Sequence, residues 1–444
     1  MKIIIIGAGP GGMDAAIAAR QQGYETILIE KAHVGGTCLN KGCIPTKALL
    51  HCASEIENAN RLFSPTKSFI SFEPHTRPQP NLSVVGEYKN SIVEQLRSGA
   101  TMQLNGIELI EGEAEFTGPK TIQINGRDLT ADKIIIATGS KPSRLNIPGA
   151  QHALTSDDVL QQIVGWNSST SHIAIIGGGV IGIEFATIIL SLFPGVELTV
   201  IEYCKEILPP FDKEIAKRLR MLLTKKGVKF ITGASVTALP SSTCVEYKRN
   251  GENQQLQADK IIMATGRQPV FPSGIEKAGI EFTAKGIKTD AHFATTAPDV
   301  YAIGDVNGRC MLAHAASAQG RKVMGADVNT DVIPSVVFST PECAMVGLTE
   351  EQCKQQEIPC LIKKAFFRAN GKAVCMEQTD GLVKLLINPE TNALLGVHIV
   401  GPHAADLIAE AADVMANNRP VTDIARTIHA HPTLNEIITT ALNE

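Results

Sequence analysis

The chain has 444 residues, a formal net charge of −4 and ten cysteines, with 44% of its residues hydrophobic and 19% charged. That balance describes a globular protein of about two to four domains, and it lacks the excess of basic residues that a nucleic-acid surface requires. Beyond Cys38 and Cys43 the cysteines are scattered singly (Cys52, Cys204, Cys244, Cys310, Cys343, Cys353, Cys360 and Cys375). No disulfide framework is expected, and most of them read as reduced, buried thiols.

The first element is a strand, Lys2 to Ile6, too short and too soon followed by glycines to be a signal peptide. Gly7-x-Gly9-x-x-Gly12 follows, then the helical stretch "MDAAIAARQQG" and a second strand, "ETILIE", ending at Glu30. The glycines let the backbone turn tightly and approach a pyrophosphate at the helix N-terminus, where free N–H groups and the helix dipole favour anions. Glu30 ends the second strand, where a carboxylate can accept hydrogen bonds from a ribose.

Next comes "GGTCLNKGCIPTKALL", residues 35 to 50. On an ideal helix, residues five apart have Cα atoms about 8.6 Å apart, beyond the ~7 Å reach of a disulfide. If Cys38 and Cys43 are bridged, they cannot share one regular helix. Gly42 loosens the backbone between them, and Pro45 suits an irregular first turn. Such a bridge would close a very small loop, so it would be a weak staple. His51 and Cys52 lie nearby, but adjacent side chains diverge and no second Cys-x-x-Cys occurs, so zinc has little support. Residues 63–81, "FSPTKSFISFEPHTRPQPN", are Pro-rich and aperiodic and read as surface. "ADKIIIATGS", ending at Ser140, closes the first nucleotide unit.

A second copy of the pattern begins in "HIAIIGGGVIGIEFATIIL", with Gly177, Gly179 and Gly182, and its second strand "VELTVIE" ends at Glu202. Residues 173–193 carry one charge, Glu184, and mimic a membrane span by length. Three consecutive glycines argue instead for a buried strand, a turn and a buried helix. "ADKIIMATGR" (residues 258–267) echoes the earlier "ADKIIIATG". Two fingerprints imply two dinucleotide sites. With electrons available from them, and a helix N-terminus to lower a thiol pKa, a redox-active pair explains Cys38 and Cys43 better than a staple or a metal site. After residue 320 no fingerprint recurs. A hairpin is expected over 380–401 with its turn at Asn388 to Asn392, then an amphipathic helix over 404–418, "AADLIAEAADVMANN". Near the end stands "HAHPTLNE", in which Pro432 fixes the chain after His431 and Glu436 can reach back to orient its imidazole. An oriented imidazole suits the deprotonation of a thiol.

The two fingerprints, "GGTCLNKGCIPTKALL", "TSDDVL", "TTAPDVYAIGD", "MLAHAA", "FSTPECAMVGLTE" and "HAHPTLNE" occur in this order. Together they resemble the flavoprotein disulfide reductases, most closely the dihydrolipoamide dehydrogenases, over nearly the whole chain. The resemblance implies an α/β fold with two Rossmann-like dinucleotide-binding domains plus a C-terminal α+β dimerisation domain. Its segments would be an FAD-binding domain (1–145), an NAD-binding domain (146–267), a return to the FAD domain (268–320) and the dimerisation domain (321–444). It implies that Gly7, Gly9, Gly12 and Glu30 hold the ADP half of FAD. Thr37 and Lys47 would lie near the pyrophosphate and flavin, Asp305 at the ribityl or phosphate region, and Ala313 near the flavin. Cys43 would be the thiolate against the flavin and Cys38 the thiol exchanging with substrate. Gly177, Gly179, Gly182, Glu202 and Gly266 would bind NAD, and Glu184, paired with Lys47, would stand by the nicotinamide. His431 would be the base, Glu436 its orienter and His429 auxiliary or structural.

The implied activity is FAD-dependent oxidation of dihydrolipoamide to lipoamide with reduction of NAD. The implied assembly is a homodimer in which His431 serves the partner's disulfide. Lipoyl-bearing proteins of 2-oxoacid dehydrogenase or glycine cleavage complexes would be the partners, in the cytoplasm, with no nucleic acid and no membrane. Other members of the family act on other thiol or disulfide substrates. Glutathione-type reductases would want arginines where Glu202 stands, and mercuric reductases would end in a cysteine pair where this chain ends "ALNE". A non-catalytic flavoprotein sensor or docking subunit would not need His431 and Glu436. The chain is somewhat short for the family, and the Pro-rich segment departs from its pattern near the expected substrate entrance.

Overall fold

The computed structural model of the protein describes residues 1–63, 79–166 and 170–444. The surface reading of the Pro-rich stretch therefore falls, except at its ends, outside the described residues. The first unit comprises β1 (Lys2–Ile6), α1 (Pro10–Gln21), β2 (Glu25–Glu30), α2 (Gly36–Lys41), α3 (Cys43–Leu62), α4 (Leu82–Gln103), β3 (Glu108–Glu111), β4 (Glu115–Gly118), β5 (Thr121–Ile124), β6 (Arg127–Thr130), β7 (Lys133–Ile136) and β8 (Ser140–Pro142). Four consecutive isoleucines make β1 a central strand, because β-branched side chains suit a pleated surface covered on both sides. Ile4 and Ile6 face one core and Ile3 and Ile5 the other. Ile4 lies opposite Ile27 of β2 and Ile134 of β7, all parallel. Helix α1 starts at Pro10, three residues before the stretch expected to be helical, so Gly12 sits within its first turn. A Cβ there would stand 1.9 Å from the Gly7 carbonyl oxygen, which is why the position takes glycine.

The second unit comprises α5 (Ser156–Gln162), β9 (His172–Ile176), α6 (Val180–Leu192), β10 (Glu197–Glu202), α7 (Lys213–Lys225), β11 (Val228–Thr232), the meander β12 (Ala234–Ser241), β13 (Cys244–Arg249) and β14 (Glu252–Gln257), and β15 (Lys260–Met263). Its parallel sheet runs β11-β10-β9-β15. The apolar window 173–193 is β9, a turn and the buried helix α6. Among the described residues no helix is long and apolar enough to cross a membrane.

The chain returns through β16 (Arg267–Pro269), antiparallel to β8, then β17 (Phe282–Thr283), β18 (Gly286–Ile287) and β19 (Val300–Ala302), which completes the first sheet in the order β19-β7-β1-β2-β3. Helix α8 (Ala313–Val323) lies so close to α1 that a Cβ on Gly320 would be 2.4 Å from the Gly11 carbonyl oxygen.

The last unit holds β20 (Ser335–Val337), β21 (Glu342–Gly347), α9 (Glu350–Gln355), β22 (Leu361–Phe366), α10 (Gly371–Cys375), β23 (Leu382–Ile387), β24 (Leu394–Gly401), α11 (Ala404–Ala416), α12 (Thr422–Arg426) and α13 (Glu436–Asn443). Its antiparallel sheet runs β20-β21-β24-β23-β22. The expected hairpin is β23 and β24, turning through residues 388–393, and the expected helix is α11. The α/β fold with two Rossmann-like units and an α+β C-terminal unit thus stands.

Candidate active site

A cavity of about 1760 Å³ passes between the two Rossmann-like units. Gly7, Gly9, Glu30 and Thr37 line one end, Gly177, Gly179, Glu202 and Gly266 the other, and Cys38, Cys43, Lys47, Glu184, Asp305 and Ala313 lie on its wall. Gly12 and Gly182 stand behind that wall, inside α1 and α6. His429, His431 and Glu436 are not among its lining residues.

The two ends are built alike. Gly7 and Gly177 share a φ of +107°, and a Cβ on them would meet the carbonyl oxygens of Ala137 at 2.3 Å and Ala264 at 2.5 Å. This explains the repeated Ala-Thr-Gly after β7 and β15: its alanine carbonyl packs on the first fingerprint glycine. Gly9 and Gly179 cap α1 and α6 without a side-chain cap, and a Cβ on either would enter open space. The bare amides of each helix start therefore face room for an anion. Glu30 accepts from the N–H groups of Ala8 (2.8 Å) and Ala32 (2.9 Å), and Glu202 from those of Gly178 (2.6 Å) and Cys204 (2.7 Å). Each carboxylate is thus fixed at its strand end beside its glycine turn. Two dinucleotides fit this donor set.

Cys38 lies on α2 and Cys43 opens α3, with Gly42 between them at φ −148°, ψ −109°. The break in the helix is the one that the sequence geometry required. The Cys38 thiol donates to the Cys43 sulfur, which lowers the Cys43 pKa to about 7 against the effect of burial, while the nearby Lys47 cation lowers it further. The same bond and burial push the Cys38 thiol up. One sulfur is therefore poised as a thiolate and the other as a thiol. His51, the metal-site candidate beside Cys52, stacks on Tyr88 at 5.7 Å. Among the described residues no group of His, Cys, Asp and Glu could hold a metal ion.

Lys47, one turn into α3, meets Glu184 of α6 at 2.8 and 3.0 Å. Glu184 is 5% exposed and also accepts from the Phe338 N–H at 3.1 Å. The Phe338 ring lies 4.3 Å from the Lys47 ammonium. Sequence reasoning missed Phe338, which carries no titratable group to signal it. It also missed Ser140 and Arg267. Ser140 donates to Asp305 at 2.5 Å, and Arg267 donates to both the Ser140 hydroxyl (2.7 Å) and its carbonyl (2.8 Å). Burial raises the Asp305 pKa, offset by Ser140 and Arg267. The signal was available, because Ser140 and Arg267 are the residues that follow each Ala-Thr-Gly.

His431 does not line the cavity that Cys38 lines, and its side chain is 80% exposed. Its Nδ1 is 2.9 Å from Glu436 Oε1, and Glu436 Oε2 accepts from the Thr433 N–H at 2.7 Å. That backbone bond, then the imidazole, holds the Glu436 pKa below its ordinary value. The expected orienting contact is present. His429 instead meets Glu410 at 2.9 Å, its side chain only 9% exposed.

Residues 1–320 match the family described as pyridine nucleotide-disulphide oxidoreductase, and residues 333–442 match that family's dimerisation domain. The chain belongs to the pyridine nucleotide-disulphide oxidoreductases. Among the curated members of this family, a dihydrolipoyl dehydrogenase of Thermus scotoductus is 38% identical over 98% of this chain and 95% of its own. One from Geobacillus stearothermophilus is 37% identical over 98% and 94%. Among solved structures, the HOCl-induced flavoprotein disulfide reductase RclA from Escherichia coli superposes with a TM-score of 0.84 at 27% identity, covering 100% of this chain and 99% of that one. As an oxidoreductase of this family the protein works with FAD and NAD(H), and its C-terminal unit is a dimerisation domain.

Proposed function

We propose that the protein oxidises a dithiol of the dihydrolipoamide class to its cyclic disulfide and delivers the electrons to NAD. One observation carries this reading: Cys38 and Cys43, on either side of the break between α2 and α3, line one cavity together with both glycine turns and both strand-end carboxylates. In this reading Gly7, Gly9, Gly12, Glu30, Thr37, Asp305 and Ala313 hold FAD, and Gly177, Gly179, Gly182, Glu202 and Gly266 hold NAD. FAD, when bound, carries the electron pair from the dithiol to NAD.

The chain's own residues do the rest. His431 of the partner subunit, oriented by Glu436, takes a proton from the first substrate thiol. The resulting thiolate attacks Cys38 of the oxidised pair and expels Cys43 as a thiolate. The Cys38–Cys43 hydrogen bond and the Lys47 charge stabilise that leaving group once Cys38 is free. The second substrate thiolate attacks the mixed disulfide, closes the substrate ring and releases Cys38 as a thiol. Glu184 holds Lys47 in place. The relatives' name supports the substrate class, for which lipoyl-bearing proteins of 2-oxoacid dehydrogenase or glycine cleavage complexes are the matching partners. We also keep the division 1–145, 146–267, 268–320 and 321–444 as the proposed domain limits, and place the protein in the cytoplasm.

The test is NADH formation by purified holoenzyme from dihydrolipoamide and NAD. Turnover should be lost in Cys38→Ser with FAD retained. Turnover with another thiol but none with dihydrolipoamide would overturn the substrate while leaving the chemistry.

A further inference from the structure

Helix α2 carries Cys38, yet little of its own packing holds it. It is six residues long, too short to be stable by itself, none of its residues is buried, and Gly35 at its start offers no side-chain cap. With both cysteines reduced, as they are in this structure, no covalent bond ties it to α3. Its place matters at both ends. The Gly35 N–H donates to the Ala8 carbonyl at 2.8 Å, and a Cβ on Gly36 would stand 2.7 Å from Gly9 Cα, so α2 begins against the first glycine turn. Cys38 then meets Cys43 across the break at Gly42.

The polar groups that do hold α2 converge on Asn40. Its Nδ2 donates to the carbonyls of Val34 (3.0 Å) and Gly36 (2.9 Å), which ties the helix to its own start and to the chain before it. Both amide hydrogens are then used, and Oδ1 is left to accept. It accepts from Arg97 Nε at 2.9 Å, across 57 residues of sequence. The guanidinium is aimed by Glu94, one turn earlier on α4, whose carboxylate accepts from Arg97 Nη1 at 2.9 Å. Helix α4 has anchors of its own: Val85 and Val93 are buried, and the buried Lys89 donates to the Leu160 carbonyl at 2.7 Å. Arg97 therefore reaches α2 from a fixed base, with a charge-assisted bond of the stronger kind.

We propose that Arg97, aimed by Glu94, is a positioning residue: through Asn40 it holds the helix that bears Cys38 while the Cys38–Cys43 bond is open. The exchange proposed above breaks and remakes that bond in every turnover. When it is closed, the disulfide itself ties α2 to α3. When it is open, the Arg97–Asn40 bond keeps the Cys38 sulfur beside Cys43 and in reach of substrate. The inference rests on this opening and closing, not on which dithiol is oxidised.

Hydrogen–deuterium exchange of the holoenzyme, read by mass spectrometry over residues 36–41, tests it in both redox states. In reduced protein, Arg97→Gln should speed exchange of α2 about tenfold, as expected for losing one hydrogen bond to a charged group. In oxidised protein the same substitution should change it far less, because the disulfide remains. The pH midpoint for alkylation of Cys43 by iodoacetamide should rise by about half a unit, since the thiol hydrogen bond is loosened rather than removed. Asn40→Ala should reproduce both effects, and Arg97→Gln added to it should have no further effect. Exchange over β1 and the bound FAD should be unchanged by Arg97→Gln. Where that variant does not retain FAD, Glu94→Gln, which only frees the guanidinium, takes its place with a smaller effect of the same sign. Unchanged exchange of α2 in reduced protein would overturn the clamp, as would equal acceleration in both redox states or additive effects in the double variant. Faster exchange with an unmoved Cys43 midpoint would overturn the positioning of the sulfur. A Cys38–Cys43 disulfide that does not form on oxidation would overturn the inference together with the redox pair it rests on; a different thiol substrate would overturn neither.

Discussion

Replacing Cys38 with alanine isolates the interaction that carries the proposed chemistry. The largest influence on Cys43 is the hydrogen bond from the Cys38 thiol, which lowers its pKa; burial raises it, Lys47 lowers it, and Glu184 raises it. Without Cys38, burial and Glu184 stand against Lys47 and a backbone hydrogen bond, and the Cys43 pKa should rise from about 7 to about its ordinary 9.0. At pH 7 the thiolate fraction then falls from about one half to about one hundredth, roughly 50-fold. The more basic thiolate is the better nucleophile, and a Brønsted coefficient near 0.45 returns about 8-fold, so the net loss in alkylation rate at pH 7 is about 6-fold. The midpoint of the pH–rate profile is the cleaner readout, because it moves by about two pH units whatever the intrinsic nucleophilicity. The assay is iodoacetamide labelling of reduced holoenzyme between pH 5 and 10 (roughly the range spanning both midpoints), with Cys43 followed by site-resolved mass spectrometry. Glu184→Gln is the internal sign control, because removing that negative charge should lower the midpoint. A Cys38→Ala midpoint that stays near 7 would show that Cys38 is not what holds the Cys43 thiolate, and the division of roles between the two sulfurs would fail with it.

Glu202→Ala should narrow the preference for NAD over NADP, measured as the ratio of kcat/KM values, since the fixed carboxylate would repel a 2′-phosphate; an unchanged ratio would remove Glu202 from the cofactor site. Glu350→Gln should destabilise the fold by about 3 kcal/mol in urea unfolding, because Lys384 is buried and would lose one of its charged partners. The Lys354 and Lys384 hydrogen bonds lower the Glu350 pKa to about 2. Its contribution is therefore complete above about pH 4.5 and lost as pH falls through 2, and the acid limb of the stability curve should flatten in the variant. A mixed dimer of one Cys38→Ser chain and one His431→Gln chain should keep about half of wild-type turnover, since one site would pair an intact disulfide with an intact histidine. Activity no higher than that of the two homodimeric variants would show that His431 does not serve the partner.

The parts of the site legible in the sequence are those whose chemistry fixes a local pattern. A glycine turn against a strand end must be glycine, and a carboxylate tied to that turn must end the next strand, so both fingerprints could be read from spacing alone. The helix break between Cys38 and Cys43 followed from the reach of a disulfide. The Lys47–Glu184 pair spans 137 residues and forms because α3 packs on α6, so only the resemblance pointed to it. Lys384 is more instructive. In "LVKLLI" a lysine reads as the solvent side of a strand, yet every residue of β23 is buried. The exception is resolved by Asp212 and Glu350, which arrive from two other elements and supply the charges that a buried ammonium needs. Periodicity records how a segment meets its own surroundings on average. A buried charge records which distant segment meets it, and that is decided by packing between units rather than within them.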